Sequence, residues 1–433
     1  MRPRSVLVGA GLASMLLAPA AGAQRPTVTL AEALRLAEQV QPTMVQAQGQ
    51  VRTAGADVRS AKGAYLPSFT LSGSGTESYS GAGARVDPTT NQIIGSNWTS
   101  SASGTISASW DLFTGFRRRA NVRAANASAQ AADAGLVDTR YQLRLTTTDQ
   151  FFSALASAQL VDVRLASVRE ADEQLRVATA KLRAGTATRA DTLTSRVNLG
   201  TAQLNLATAQ SDLAAAEAGL ARLIGHTGRV AAADDSGFYQ PQAIDTTAVR
   251  NEALDRSPRV QAALASARAA RAAVAAARAA YWPTLSFGAA TGYSGTQGTG
   301  TGLSNNTQLS LRLSWNLFNG FAREAAIVTQ ESNADVADAT AADDSRAVDT
   351  GLTTYLAQLY AASTSIAITQ TSVAAGEENL RVGRERYQLG LATIVDLLTA
   401  QATLDQVKVD AVNARFDYLR AKAQLEALVG HPL

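Results

Sequence analysis

Trp110-Asp111-Leu112-Phe113-Thr114-Gly115-Phe116 returns 205 positions later as Trp315-Asn316-Leu317-Phe318-Asn319-Gly320-Phe321. The approach to each stretch is repeated at another spacing: Ala64-Tyr65-Leu66-Pro67 reappears 216 positions on as Ala280-Tyr281-Trp282-Pro283, and Pro42 as Pro258. The 205-residue spacing also relates Gly185 to Gly390, Asp191 to Asp396, and Leu220-x-x-Leu223-Ile224-Gly225-His226 to Leu425-x-x-Leu428-Val429-Gly430-His431. Self-similarity at a fixed spacing identifies a tandem duplication. The difference of 11 between the spacings places a longer loop in the first copy, near Ser80–Asn97.

Between these anchors the pattern has period two. Ser68, Thr70, Ser72 and Ser74 alternate with Phe69, Leu71 and Gly73, and Ser101 to Ser109 alternate with Ala102, Ile106, Ala108 and Trp110. The second copy sets Leu285, Phe287 and Ala289, then Leu309, Leu311, Leu313, Trp315 and Leu317, against Gln308, Ser310, Arg312 and Ser314. Each copy thus holds two amphipathic strands joined by a Gly/Ser/Asn-rich loop. Trp98, Trp110, Trp282 and Trp315 fall at strand ends, as do Tyr65, Tyr79, Tyr281, Tyr293, Phe113 and Phe318. That is the pattern of the aromatic girdles of a membrane barrel, whose strands need about 9–11 residues; a soluble hairpin with aromatic ends fits as well. Four strands cannot close a barrel, because the smallest have about eight, and open edges in lipid are forbidden. Membrane strands here require several chains in one barrel, and three chains would supply twelve strands.

After Phe116 and Phe321 the period becomes seven. Val161, Val168, Leu175 and Leu182 keep this interval, as do Leu359, Ile366, Val373, Leu380 and Tyr387. Beyond a short break Leu199, Leu206, Leu213 and Leu220 continue it, matched by Leu404, Ala411, Tyr418 and Leu425. A seven-residue apolar repeat is a coiled-coil seam. The ten prolines, at 3, 19, 26, 42, 67, 88, 241, 258, 283 and 432, leave two intervals of about 150 residues in which nothing breaks a helix. The descending helices would be about 100 Å long at 1.5 Å per residue.

Composition closes other routes. The 433 residues include no Cys and two His, which removes disulfides, zinc fingers and thiol nucleophiles and leaves little for a metal. His226 and His431 each follow Gly at a helix end, where the dipole favours a partly protonated imidazole, so they read as caps and not ligands. Met1-Arg2-Pro3-Arg4, an apolar run from Val6 to Ala18 and Ala21-Gly22-Ala23 form a secretory signal peptide cleaved after Ala23. No later stretch offers 18 uncharged apolar residues, so no spanning helix is expected. Loss of Arg2 and Arg4 takes the formal net charge from +3 to +1, and no basic run with interleaved aromatics suggests nucleic acid. No Ser-His-Asp arrangement, phosphate loop or His/Cys cluster marks an enzyme or a cofactor site.

The expected organisation is a signal peptide over 1–23, a first copy over 24–224, a linker over 225–246 and a second copy over 247–433. Strands fall at about 65–80 and 98–113, then 281–293 and 307–318; long helices at about 117–183 and 189–224, then 322–388 and 394–429. The linker holds Asp234-Asp235, read as a solvated loop.

Taken together, the duplication, the Tyr-x-Pro approaches, the Trp-x-Leu-Phe-x-Gly-Phe exits and the turn Arg386-Tyr387-Gln388-Leu389-Gly390-Leu391-Ala392-Thr393-Ile394-Val395-Asp396-Leu397-Leu398 resemble the TolC-like outer-membrane efflux factor family over nearly the whole mature chain. The first copy's turn, Lys181 to Leu193, is a looser version. The resemblance implies an α+β membrane protein: a homotrimer with a 12-stranded outer-membrane β-barrel, continued by a periplasmic α-barrel of long antiparallel coiled-coil helices. It implies a passive conduit in a tripartite efflux or type I secretion system, with a periplasmic adaptor, an inner-membrane pump and outer-membrane lipid as partners. A periplasmic coiled-coil scaffold or adhesin without a barrel is the alternative.

The two turns carry the candidate site. Gly185 and Gly390 end the long helices in a left-handed cap, and Thr188-x-x-Asp191 and Thr393-x-x-Asp396 resemble capping boxes with Asp in place of Glu. The resemblance adds adaptor contact at Leu389-Gly390-Leu391, with Arg183-Ala184-Gly185-Thr186 as the degenerate counterpart, and a tunnel constriction at Asp396 and Tyr387, with Asp191 the first-copy partner of Asp396. Three copies of Asp396 would form a carboxylate ring that attracts cations. A second family carboxylate is replaced by Thr399, and Ala392 stands where some members carry Arg.

Overall fold

The computed structural model describes residues 25–81, 85–86, 93–94, 97–235, 249–250, 253, 256–297 and 303–433. The expected signal peptide and the second half of the linker, 236–246, lie outside the described residues. The elements run β1 (Thr27–Val28), α1 (Leu30–Val40), α2 (Pro42–Gly63), β2 (Ser68–Ser80), β3 (Arg85–Val86), β4 (Ile93–Ile94), β5 (Asn97–Phe113), α3 (Arg117–Arg183), α4 (Arg189–Leu223), β6 (Ala231–Ala232), α5 (Pro258–Arg278), β7 (Thr284–Gln297), β8 (Ser304–Ser314), α6 (Ala322–Gln388) and α7 (Ile394–Val429). Within the first copy's loop, β3 and β4 pair antiparallel, where a loop without strands was expected.

β2, β5, β7 and β8 make one antiparallel sheet in that order, so β5 of the first copy pairs with β7 of the second. Strands β2 and β7 begin after Pro67 and Pro283, because proline has no N–H to give the ladder. Tyr65 and Tyr281 therefore sit before the strands instead of opening them. Their carbonyls accept the indole N–H of Trp110 at 3.0 Å and of Trp315 at 3.2 Å. Strand β8 ends at Ser314, so Trp315–Phe318 lie beyond it and not within a strand to 318 as the alternation suggested. Trp315 spends its polar end on the Tyr281 carbonyl there.

The sheet turns into the long helices through two consecutive left-handed residues in each copy, Gly115-Phe116 with φ of 62° and 66° and Gly320-Phe321 with φ of 65° in both. A non-glycine residue there costs about 1–2 kcal/mol. Each Phe is offset by an edge-to-face partner one turn back, Phe113 at 5.3 Å and Phe318 at 5.5 Å. Arg118 lies 4.7 Å over Tyr65 and Arg323 4.1 Å over Tyr281, so the same clamp is built twice.

α3 and α6 each run 67 residues, about 100 Å, from the sheet to a tip. Near the sheet the helices stand in the order α2, α3, α5, α6; near the tip the order is α4, α3, α7, α6. One 18-residue window of α3 is apolar enough by length and composition to cross a membrane, although no 18-residue stretch of that helix is uncharged. α2, α5, α4 and α7 pack along that helix, and 33% of the window is buried within the chain.

The core sits midway, where Phe151, Phe152, Leu220, Val348, Leu352, Phe416, Leu425 and Val429 join both copies. There β1 pairs parallel with β6, and buried Glu217 takes Arg25 at 3.2 Å and Arg229 at 2.8 Å. In α6 and α7 the heptad residues Leu359, Leu380, Tyr387, Leu404, Tyr418 and Leu425 are buried as the period predicts, while Ile366, Val373 and Ala411 are half-buried. In α3 they are only half-buried, and Ser167, Ala171, Gln174 and Ala178 take the interior. α3 lies between α4 and α7, so its most enclosed line faces the gap between two neighbours and not a single partner.

Candidate functional site

The far ends of α3 and α6 are closed by the same backbone device. Ala184 N–H bonds the Ala180 carbonyl at 3.0 Å, Gly185 that of Leu182 at 3.0 Å, and Thr186 that of Lys181 at 2.9 Å. In the second copy Leu389 bonds Glu385 at 3.0 Å, Gly390 bonds Tyr387 at 3.2 Å, and Leu391 bonds Arg386 at 2.8 Å. Gly185 has φ of 75° and Gly390 78°, and a Cβ on either would meet nothing within 4 Å. Glycine is demanded here by the left-handed backbone and not by crowding within the chain.

The return helices start in reciprocal capping boxes. Thr188 N–H donates to Asp191 Oδ2 at 2.9 Å while Asp191 N–H donates to Thr188 Oγ1 at 3.2 Å; Thr393 and Asp396 repeat both distances. In the second copy the Thr393 hydroxyl also donates to Asp396 Oδ2 at 2.7 Å. That hydroxyl, followed by the Thr393 backbone N–H, holds the Asp396 carboxyl below its usual range. Asp396 is exposed and charged, so one side chain caps a helix and presents an anion to solvent.

Tyr387 takes a different place from Asp396. It is 5% exposed, packed with Leu380, Ile394, Leu397, Ala400 and Leu404. Burial, and then the negative charge of Asp191, push its phenol upward. Lys181 of α3 lies 4.2 Å over its ring and donates to its backbone carbonyl. The structure thus brings together Lys181, Asp191 and Tyr387 from three helices and leaves Asp396 outside that group. Arg384 of α6 pairs with Glu170 of α3, a second tie between the copies. Neither Lys181 nor Glu170–Arg384 stood out in the sequence. The available signal was the basic residue in the last turn of both long helices, Lys181 and Arg386.

At the tip Leu389 is 74% and Leu391 75% exposed on either side of Gly390, an apolar pair on a rigid turn. In the first copy Arg183, Ala184, Gly185 and Thr186 are exposed without that apolar pair. Behind the tip, Ser167, Gln174, Gln401 and Asp405 form a polar layer where α3 meets α7; Gln401 donates to Asp405 at 2.8 Å, and burial raises the Asp405 carboxyl. Among the described residues no group of three His, Asp or Glu could hold a metal ion.

The site is thus a solvent-exposed tip on 67-residue paired helices, joined through an aromatic clamp to a four-stranded sheet with an exposed apolar face. The chain belongs to the outer membrane efflux protein family, whose model matches residues 33–226 and 249–431, one segment in each copy. Among solved structures it is similar to the outer membrane protein VceC of Vibrio cholerae, at 19% identity and a TM-score of 0.74, covering 93% of this chain and 96% of that one. It is similar to the Campylobacter jejuni CmeC outer membrane channel at 16% identity and a TM-score of 0.79, covering 93% and 85%. The open-state Neisseria gonorrhoeae MtrE outer membrane channel aligns at 17% identity and a TM-score of 0.73, covering 93% and 89%. No curated protein sequence matches the chain. The chain is an outer-membrane efflux channel with a large periplasmic helical portion, in a family of channels and not of enzymes.

Proposed function

We propose that three copies of this chain close a 12-stranded barrel over a tunnel of paired helices, which passively conducts solutes delivered by an inner-membrane pump through a periplasmic adaptor. The observation that carries the reading is that each open edge of one chain is the repeat equivalent of a seam inside it. β5 pairs β7 within the chain; the free edges β8 and β2 are their counterparts in the other copy. α3 packs α5 near the sheet and α7 near the tip; the outer helices α6, α2 and α4 are the counterparts. A next chain placed on the free edge therefore meets the surfaces that the two copies already offer each other. Carried across that seam, the β5–β7 register sets Leu309, Leu311 and Leu313 opposite Glu77, Gly75 and Gly73, large residues over mostly small ones.

Asp396 is the tunnel constriction in this reading, Leu389-Gly390-Leu391 and Arg183 to Thr186 the adaptor contact, and Lys181, Asp191 and Tyr387 the tie that holds the tip in its packed state. Purified protein in planar bilayers tests it. Open channels should be blocked by trivalent cations, and Asp396→Ala should abolish the block while the trimer remains. Unchanged block would remove Asp396 from the constriction, and recovery of the wild-type chain as a soluble periplasmic protein would favour the scaffold instead.

A further inference from the structure

One face of the sheet is small and polar, and on β2 and β5 it is almost entirely hydroxyl. Ser68 faces Ser109 with their oxygens 2.7 Å apart, Ser74 faces Ser103 at 2.8 Å, and Thr70, Ser72, Thr76 and Ser78 stand opposite Ser107, Thr105, Ser101 and Thr99. On β7 and β8 the same face carries Ser286, Gly288, Ala290, Gly292 and Ser294 against Arg312, Ser310, Gln308, Asn306 and Ser304. The other face carries Phe69, Leu71, Ile106, Leu309, Leu311 and Leu313, all exposed in one chain. In a membrane barrel the apolar face meets lipid and the hydroxyl face lines the lumen.

Across these four strands the hydroxyl face carries two charged residues, Asp111 and Arg312. The register puts them in one row: Asp111 is opposite Ser286, and Ser286 is opposite Arg312. Two strand spacings separate them, about 10 Å, with only the short Ser286 between. Glu77 lies on the other face, in register with Ser100.

We propose that Asp111 and Arg312 form a single self-neutralising charge belt at the periplasmic end of the barrel lumen. It is the one level of the strands at which a permeating solute meets fixed charge. Because the two signs cancel over a distance comparable to the Debye length of about 10 Å at 0.1 M salt, the barrel leaves charge selection to other levels of the channel. The class of solute this wall suits is neutral, zwitterionic or amphipathic and rich in hydrogen-bonding groups, which hydroxyls can match without a charged anchor.

The proposal rests on the barrel reading, and the test separates the two. Reversal potentials of single channels are measured in a KCl gradient at about 0.1 M, in the wild-type and Asp396→Ala backgrounds so that charge at the tip does not set the answer. Asp111→Asn leaves uncompensated guanidinium groups and should shift the K⁺/Cl⁻ permeability ratio toward chloride by about twofold or more; Arg312→Gln should shift it as far toward potassium. The double variant should return to the parent value. Conducting channels in which the single variants shift nothing, or shift the same way, overturn the belt. Absence of any conductance from the wild-type protein overturns the barrel reading instead.

Discussion

Substituting Ala for either junction glycine separates packing within a chain from packing between chains. At Gly115 a Cβ would lie 2.5 Å from Trp282 Cβ and 2.9 Å from the Ala279 carbonyl, whereas at Gly320 nothing lies within 4 Å. Both residues are left-handed, so Ala costs about 1–2 kcal/mol of backbone energy at either place. Gly115→Ala adds a contact about 1 Å inside the normal 3.5–4.0 Å carbon separation, which in a packed site adds about 1–3 kcal/mol. In a lone chain, then, Gly115→Ala should lose about 2–5 kcal/mol and Gly320→Ala only its backbone share. The repeat changes this in the assembly. The counterparts of Trp282 and Ala279 are Leu66 and Gly63, and across the proposed seam these belong to the next chain. Gly320→Ala should therefore fold and then fail to assemble, with about 1–3 kcal/mol lost at each of three seams, at least two decades in the trimerisation constant. Crosslinking in detergent over a dilution series reads this directly. Leu66→Gly, which removes the opposing Cβ, should restore trimers to Gly320→Ala. Trimers of Gly320→Ala that survive dilution like wild type, or a Leu66→Gly change that restores nothing, would refute the seam.

Lys181→Met keeps the stem but removes the cation over Tyr387 and the donor to its carbonyl; loss of a desolvated cation–π pair of up to about 2 kcal/mol should raise the open fraction of single channels several-fold, and an unchanged open fraction would place the tip tie elsewhere. Asp405→Asn tests the polar layer through pH. Burial raises the folded-state carboxyl above its ordinary value, so ionisation opposes folding once pH exceeds that ordinary value, and the penalty is complete above the raised folded value. The amide should therefore raise the midpoint of thermal unfolding at pH 7, and the gain should vanish toward pH 3; a gain that is the same at both pH values would mean packing and not charge is responsible.

Much of the architecture was legible because the two periods are long and the punctuation is repeated. Trp-x-Leu-Phe-x-Gly-Phe ends a period of two and opens a period of seven, and glycine closes the long helices at Gly185 and Gly390. The capping boxes were legible for the same local reason, since both partners lie three residues apart. What escaped was set by distant chain. Lys181 meets Tyr387 across 206 residues, and no period or motif links them. The first-copy heptad misjudged the buried line of α3 because that helix serves two neighbours. Strand pairing between copies, β5 with β7, also left no local trace, since alternation fixes a face and says nothing of which edge adjoins which.

The aromatic residues at the strand ends support the membrane reading less directly than their positions suggest. Trp110 and Trp315 spend their indole N–H groups on Tyr65 and Tyr281, and Arg118 and Arg323 cover those two rings. Phe113, Phe116, Phe318 and Phe321 steady a left-handed corner. A soluble protein turning a sheet into a helix could use the same clamp, so this girdle alone does not distinguish a channel from a scaffold. The apolar row between the ends does distinguish them. Phe69 is 74% exposed, Leu71 78%, Ile106 56%, Phe287 36%, and Leu309, Leu311 and Leu313 between 66% and 70%, an apolar face spread over all four strands of the kind that soluble monomers avoid. The edge-to-edge assembly proposed above extends the sheet without covering its faces, so it would leave that face bare. Lipid is the solvent that such a face fits, and it fits only if the hydroxyl face is turned to water on the other side. The single sheet therefore asks for both environments at once, which favours the barrel proposed above over a periplasmic coiled coil.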